Sequence, residues 1–224
     1  MDNLFLNIDC MDKEKGMPSY PDKYFDLAIV DPPYGIDYAD KKIKGATVKD
    51  RNGWQIYEQK KWDREIPHKE YFDELLRVSK NQIIWGGNYF TEFLSSSRCW
   101  VIWYKVPYEF TLSQAELAWT SFNSRVLVYE RMTNEDRGFL GVNIHPTQKP
   151  VALYKWLLTK YAKPNDKILD THVGSGSSRI ACWDMGFDFT GYEIDEDYYC
   201  ASEKRFQQYI KQEVLFPPQK YGYL

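Results

Sequence analysis

Three short stretches carry residue types whose spacing could do chemistry. The first is Asp31-Pro32-Pro33-Tyr34, directly after the apolar run Leu27-Ala28-Ile29-Val30. Consecutive prolines have fixed φ and no N–H, so the turn is rigid, while their carbonyls still accept hydrogen bonds. A carboxylate, a fixed carbonyl and an aromatic ring within one turn suit a flat ring that bears an amino group. The amino hydrogens go to Asp31 and to a proline carbonyl, and the ring stacks on Tyr34. The plainer reading is a Pro-Pro turn that closes a strand.

The second stretch runs from Lys167 to Arg179 and contains Asp170, His172 and Gly174-Ser175-Gly176-Ser177. It reads as a strand, a glycine-rich loop and the start of a helix, a context in which glycines permit close backbone approach by a ligand. Glu193 follows about 20 residues beyond the loop, where an acid suits a grip on ribose hydroxyls. A dinucleotide fingerprint wants a third glycine where Arg179 stands, and a phosphate loop wants Gly-Lys-Ser/Thr, which the chain lacks. A nicotinamide oxidoreductase is therefore disfavoured. The third stretch is His145-Pro146-Thr147-Gln148-Lys149-Pro150, just ahead of a helical pattern. Thr147 and Lys149 near a helix N-terminus make a grip for a carboxylate.

The elements that must hold these stretches alternate. Strands are expected at Leu4–Ile8, Tyr24–Val30, Gln82–Trp85, Cys99–Tyr104, Arg125–Tyr129, Lys167–Leu169 and Phe189–Tyr192, with 114–118 ambiguous. Helices are expected at Glu70–Ser79, Asn88–Leu94, Val151–Tyr161, Ser177–Met185 and Glu196–Ile210. This pattern predicts an α/β fold with a mostly parallel sheet. The stretch 37–67 breaks the alternation. Within it, Lys41–Arg64 holds eight basic and three acidic residues, together with Trp54, Tyr57 and Trp62. It reads as a loop insertion whose Lys41, Lys42, Lys44, Lys49 and Arg51 meet a phosphate backbone, against the plainer reading of a solvated surface loop.

The chain has 224 residues, which suits one domain, 1–224, with that insertion. Hydrophobic residues at 43% and charged residues at 27% exclude a disordered chain and a fibre. The net charge of −3 gives no global sign of a nucleic-acid partner, so a charged interface has to be local. Aromatic residues at 17% suit stacking on flat ligands as well as a core. Cys10, Cys99, Cys182 and Cys200 are scattered and are expected to be free thiols, and no metal-ligand spacing is visible. No apolar run reaches the roughly 18 residues a membrane helix needs, and no signal peptide is evident. A cytoplasmic location is expected.

Taken together, these stretches resemble the amino-group DNA methyltransferases that use S-adenosylmethionine. Asp31-Pro32-Pro33-Tyr34 matches the catalytic motif of that family. Leu169-Asp170 with Gly174-Ser175-Gly176 is similar to its cofactor loop, and 143–150 to its third cofactor segment. The catalytic motif precedes the cofactor loop, which is the permuted order of the beta group. Asn7–Cys10, Ile84–Phe90, Trp100–Lys105 and Glu116–Thr120 also fit, so the resemblance covers nearly the whole chain. Thr171-His172 departs from the family's Pro-Phe, and the segment 129–142 is short for target recognition.

The resemblance implies a Rossmann-like, seven-stranded, mostly parallel sheet with S-adenosyl-L-methionine across its crevice. Gly174, Ser175 and Gly176 would line the methionine moiety, with Asp170 and Ser177 as further cofactor-binding residues. Thr147, Lys149 and Pro150 would hold its carboxylate end, Glu193 the ribose, and Asp9 and Cys10 the adenine, with His172 packed over the cofactor. Asp31, Pro32, Pro33 and Tyr34 would hold the amine of a flipped base. Asp at the first motif position favours adenine N6 over cytosine N4. The implied partner is double-stranded DNA. A homodimer and a cognate restriction nuclease are further candidates, and a catalytically silent DNA-binding scaffold of the same fold is the reading from another class.

Overall fold

The computed structural model describes residues 2–36, 64–105, 113–130 and 148–211. Of the basic insertion at 37–67, residues 37–63, with Lys41, Lys42, Lys44, Lys49 and Arg51, lie outside the described residues, as do 131–147, which include Thr147. Among the described residues, twelve helices and strands follow one another: β1 (Asn3–Leu6), β2 (Phe25–Val30), α1 (Lys69–Val78), β3 (Ser79–Trp85), β4 (Trp100–Tyr104), β5 (Ala115–Thr120), β6 (Leu127–Glu130), α2 (Val151–Tyr161), β7 (Lys167–Asp170), α3 (Ser177–Met185), β8 (Asp188–Tyr192) and α4 (Glu196–Ile210).

The strands form one eight-stranded sheet in the order β1-β8-β7-β2-β3-β5-β4-β6. Every neighbour pair is parallel except those made by β5, which runs antiparallel to β3 and β4. The expected α/β class and mostly parallel sheet are therefore present, with eight strands rather than seven. The ambiguous segment is the strand β5, inserted between β3 and β4. β6 adds an outer edge parallel to β4.

β2 shows why the sheet is parallel and central. Leu27 and Ile29 pack into one core, Ala28 and Val30 into the other, and none exposes more than 1% of its surface. A strand buried on both faces reads as a continuous apolar run, as this one does. On one face lies α1, whose Tyr71, Phe72, Leu75 and Val78 recur at helical spacing and are buried. On the other lie α2, through Leu153, Leu157 and Leu158, and α3, through Ala181 and Cys182.

The ends of the helices follow from local chemistry. Asp195 caps α4 by accepting from the amides of Asp197, at 3.0 Å, and Tyr198, at 3.1 Å. Gly186 closes α3 in the left-handed region with φ +76°. Several sequence expectations shift. β1 stops at Leu6, because Asn7 turns its side-chain amide to the Glu193 carbonyl at 2.7 Å. β3 starts three residues before Gln82, directly at the end of α1. The helix expected over Asn88–Leu94 is only a 3₁₀ turn at Gly87–Tyr89, because Phe90 is drawn into the core beneath the sheet end. Among the described residues, no helix is long and apolar enough to cross a membrane.

Candidate active site

The site is built at the C-terminal ends of β2 and β7. These strands are adjacent, with Leu27 opposite Ile168 and Ala28 opposite Leu169. The chain leaves β2 through α1 on one face of the sheet and leaves β7 through α3 on the other. Such a switch point opens a crevice beyond the strand ends. Asp31 enters it from β2, and the Asp170 turn with its glycine loop enters from β7.

Asp31 sits in a row of charges. Its Oδ2 pairs with the Lys149 ammonium, and its Oδ1 accepts from the Tyr34 hydroxyl at 2.5 Å. Lys149 Nζ lies 3.4 Å from that hydroxyl and 3.1 Å from Glu116 Oε2. Glu116 in turn pairs with Lys105. The Lys149 side chain is 1% exposed, so its charge survives only because carboxylates surround it. Burial would lower the Lys149 pKa, but Asp31 and Glu116 outweigh it and raise it. Burial would raise Glu116, yet Lys149 and Lys105 hold it below the usual carboxylate range. Asp31 ends above that range. Burial and Glu116 push it up, and Lys149 only partly offsets them.

The Tyr34 ring stacks on Tyr89, with centroids 5.1 Å apart and planes at 14°, and meets Phe90 edge-on. Gly86 makes room for it. This residue has φ +69°, and a Cβ there would collide with the Tyr34 ring. Tyr34 therefore stands as part of an aromatic stack whose outer member, Tyr89, is 44% exposed.

The glycine loop is held from three sides. Asp170 accepts from the Ser178 hydroxyl at 2.5 Å and from the His172 amide at 3.0 Å, and burial pushes its pKa to about 7. Glu193, at the end of β8, accepts from the Gly174 amide at 2.8 Å with one oxygen and from the Asp195 amide at 3.0 Å with the other. Arg205 of α4 donates to the Ser175 carbonyl at 2.7 Å and to the Ser177 hydroxyl at 2.9 Å. Gly174 and Gly176 take φ of +53° and +78°.

Beside the loop lies a cavity of about 440 Å³. Ile8, Asp9, Cys10 and Met11 line it from the β1 side, Thr171, His172, Glu193 and Ile194 from the β7 and β8 ends, and Pro33 from the β2 turn. The structure thus brings Asp9, Cys10, His172, Glu193 and Pro33 to one cavity. Asp170, Gly174, Ser175, Gly176 and Ser177 form the turn beside it and do not line it. Lys149 follows Gln148 and stands next to Pro150 at the start of α2. Its ammonium is turned to Asp31 and Glu116.

His172 occupies the position where the related loop carries an aromatic. Its Nδ1 lies 2.9 Å from Thr171 Oγ1, which lies 2.7 Å from the Tyr71 hydroxyl, and the ring meets Tyr71 edge-on. Burial lowers its pKa to about 4, so the imidazole is neutral near pH 7. Burial also raises the Cys10 thiol well above its ordinary value, so Cys10 is a small apolar wall and no nucleophile.

Sequence reasoning passed over Glu116, Tyr71 and Tyr89. A signal existed for Glu116. It is an acid inside an apolar strand, opposite Trp103 and one step from the Lys105 end of β4. Tyr71 and Tyr89 had no such signal, since an aromatic on a helix or after a glycine pair is ordinarily core.

The family described as DNA methylase, of the N6/N4 class, matches residues 95–204, which include the glycine loop and Lys149. The type II methyltransferase M.HinfI of Haemophilus influenzae is 24% identical over 255 residues, covering 92% of this chain and 68% of that protein. Among solved structures, the complex of M1.HpyAVI with S-adenosylmethionine superposes with a TM-score of 0.59 at 19% identity, covering 91% of this chain and 98% of that one. The cytosine-N4-specific DNA methyltransferase PvuII superposes with a TM-score of 0.54 at 12% identity, over 87% of this chain and 84% of that one. The class I methyltransferase sheet, with the Asp-Pro-Pro-Tyr turn and the glycine loop at adjacent strand ends, and the family match over residues 95–204 support an amino-group DNA methyltransferase family of the N6/N4 class.

Proposed function

We propose that this protein transfers a methyl group from S-adenosyl-L-methionine to the exocyclic N6 of an adenine flipped out of double-stranded DNA. The observation that carries this reading is the adjacency of Asp31 and the glycine loop at the ends of β2 and β7, with Pro33 lining the cavity beside the loop.

The residues present fit the cofactor. A cavity of about 440 Å³ lies within the usual range for small-ligand sites. Its apolar lining, which includes Ile8, Met11, Ile66 and Ile194, suits a flat purine, and its carboxylates, Asp9, Glu65, Glu70 and Glu193, suit ribose hydroxyls and a cationic ligand. Gly174, Ser175, Gly176 and Ser177 would take the methionine end, with Asp170 beneath them and Thr147 and Pro150 closing it; the expected grip of Lys149 on the carboxylate gives way to its pairing with Asp31 and Glu116. S-adenosyl-L-methionine supplies, when bound, a methyl group activated by a sulfonium.

The chain's own residues act on the base. An amine inside a duplex is out of reach, so the base must leave the stack. Asp31 and the Pro32 carbonyl accept the two amino hydrogens and hold the nitrogen as it loses conjugation with the ring. A carboxylate has about four lone-pair sites, and Tyr34 and Lys149 use two of them, so Asp31 keeps capacity for the amine. The rate gain comes from positioning and electrostatics, with no covalent intermediate on the protein. Asp31 at the first motif position supports adenine. The fold likeness to a cytosine-N4 enzyme supports cytosine N4 as the second reading.

The basic insertion, with Lys41, Lys42, Lys44, Lys49 and Arg51, supplies backbone contacts to DNA in this reading. The short 129–142 segment favours a homodimer. The likeness to a type II methyltransferase favours a cognate restriction nuclease and a cytoplasmic location. The test is methyl transfer to duplex DNA by the wild-type chain and by Asp31→Ala. Turnover should vanish in the variant while cofactor binding persists, and a variant that methylates at the wild-type rate defeats the assignment.

A further inference from the structure

We propose that Glu116 is a positioning residue of the transfer centre: through the ammonium of Lys149 it holds the Asp31 carboxylate where it can accept from the substrate amine. The proposal rests on the reading of Asp31 given above and extends it to a strand that no comparison singles out.

Four charges alternate across the sheet end. Lys105 follows β4, Glu116 lies on β5, Lys149 precedes α2 and Asp31 follows β2. Their side chains are 25%, 19%, 1% and 16% exposed in that order, so the row deepens towards Lys149. Lys149 Nζ stands 5.2 Å above the ring of Trp85, which is fully buried. This cation is almost fully buried among the described residues and is neutralised from both sides, by Asp31 and by Glu116 at 3.1 Å.

The arrangement has a consequence for Asp31. With one counterion, a buried ammonium would bind Asp31 without competition and withdraw its oxygens from any other donor. Glu116 divides that attraction. Its own charge also faces Asp31 across the ammonium and raises the proton affinity of Asp31, so Asp31 becomes a stronger acceptor. Lys105 works in the opposite sense by neutralising Glu116. The other titratable groups around Asp31 are Tyr34, Tyr71, Tyr154 and Asp170. Burial raises the three tyrosines well above their ordinary value, so they stay neutral, and among the described residues Asp170 is the further carboxyl that interacts with Asp31.

The test is a ¹³C NMR titration of the Asp31 carboxyl in the full chain, assigned as the resonance missing from Asp31→Asn. Glu116→Gln should lower its midpoint by about one pH unit, and Lys105→Met should raise it by about half a unit. Opposite signs separate a through-charge effect from loosened packing, which would carry both variants towards the ordinary aspartate value. Alongside, Glu116→Gln should lower kcat for DNA methylation roughly tenfold with KM for DNA within about twofold. Midpoints that stay put, or move the same way in both variants, overturn the proposal. An Asp31→Asn enzyme that still methylates DNA instead defeats the reading of Asp31, while the titration still decides the coupling.

Discussion

Asp31 and His172 are the residues in which environment most changes chemistry. Asp31 is a carboxylate held by a tyrosine hydroxyl and a buried ammonium, and its removal should affect the transfer step rather than the cofactor cavity, which it does not line. Asp31→Ala should lower kcat by a factor of about 10² or more, the scale of losing one preorganised polar group, while calorimetric cofactor affinity changes little. Equal losses in both would place Asp31 in the cofactor site instead. His172 and Asp170 make a second, paired prediction. His172 sits near 4 against an ordinary 6.5, so only the unfolded chain is protonated between those values, and stability from this group is lost as pH falls from 6.5 to 4. Asp170 sits near 7 against an ordinary 3.8, so the folded state binds the extra proton, and stability from this group is lost as pH rises from 3.8 through 7. Between about pH 4 and 6.5 the two slopes oppose each other. Denaturant titrations of Asp170→Asn should show stability falling towards acid, and those of His172→Gln stability falling towards neutral pH. Parallel pH dependence in the two variants would contradict the assignment.

The element that matters most for the substrate side is the short turn after β3. Gly86 in the left-handed region admits the Tyr34 ring, and Gly87 packs against Trp119 of β5. Gly86→Ala adds both a strained φ and a clash with Tyr34. It should lower stability by about 1–3 kcal/mol and displace Tyr34 from Tyr89, seen as a lower midpoint in thermal unfolding together with reduced turnover. An unchanged midpoint would mean that the ring moves freely. This turn also marks a limit of sequence reading. Asn88–Leu94 has helical spacing, but Phe90 is needed under the sheet end and Gly86 reverses the chain, so tertiary packing overrides the local pattern. The boundaries of α2, α3 and α4 were legible, because Pro150, Gly186 and Asp195 each end or begin a helix by local chemistry. β5 was not, because Glu116 interrupts its apolar run, and its acid is explained only by Lys149 and Lys105, which arrive from other elements. The Asp31–Tyr34 turn and the glycine loop could be read from spacing as strand-end features. The ion-paired state of Lys149 could not, since nothing in 143–150 shows that its ammonium reaches β2.

At the scale of the whole molecule, the permuted order of motifs leaves the crevice intact, because β2 and β7 are neighbours however the chain connects them. A protein with net charge −3 that acts on DNA needs a local basic surface, and the sequence concentrates basic residues at 41–64. Replacing Lys41, Lys42 and Lys44 together by Ala should weaken DNA binding and reduce the slope of log affinity against log salt by about 2–3, measured by fluorescence anisotropy over a salt series. An unchanged slope would remove the insertion from the interface. The reaction itself is tested by transfer of labelled methyl from S-adenosylmethionine to mixed-sequence duplex DNA, followed by mass spectrometry of the nucleosides. N6-methyladenine that disappears with Asp31→Ala is the predicted result. N4-methylcytosine in its place would contradict the choice of base, and no methylated nucleoside from a chain that binds the cofactor would contradict the proposed activity.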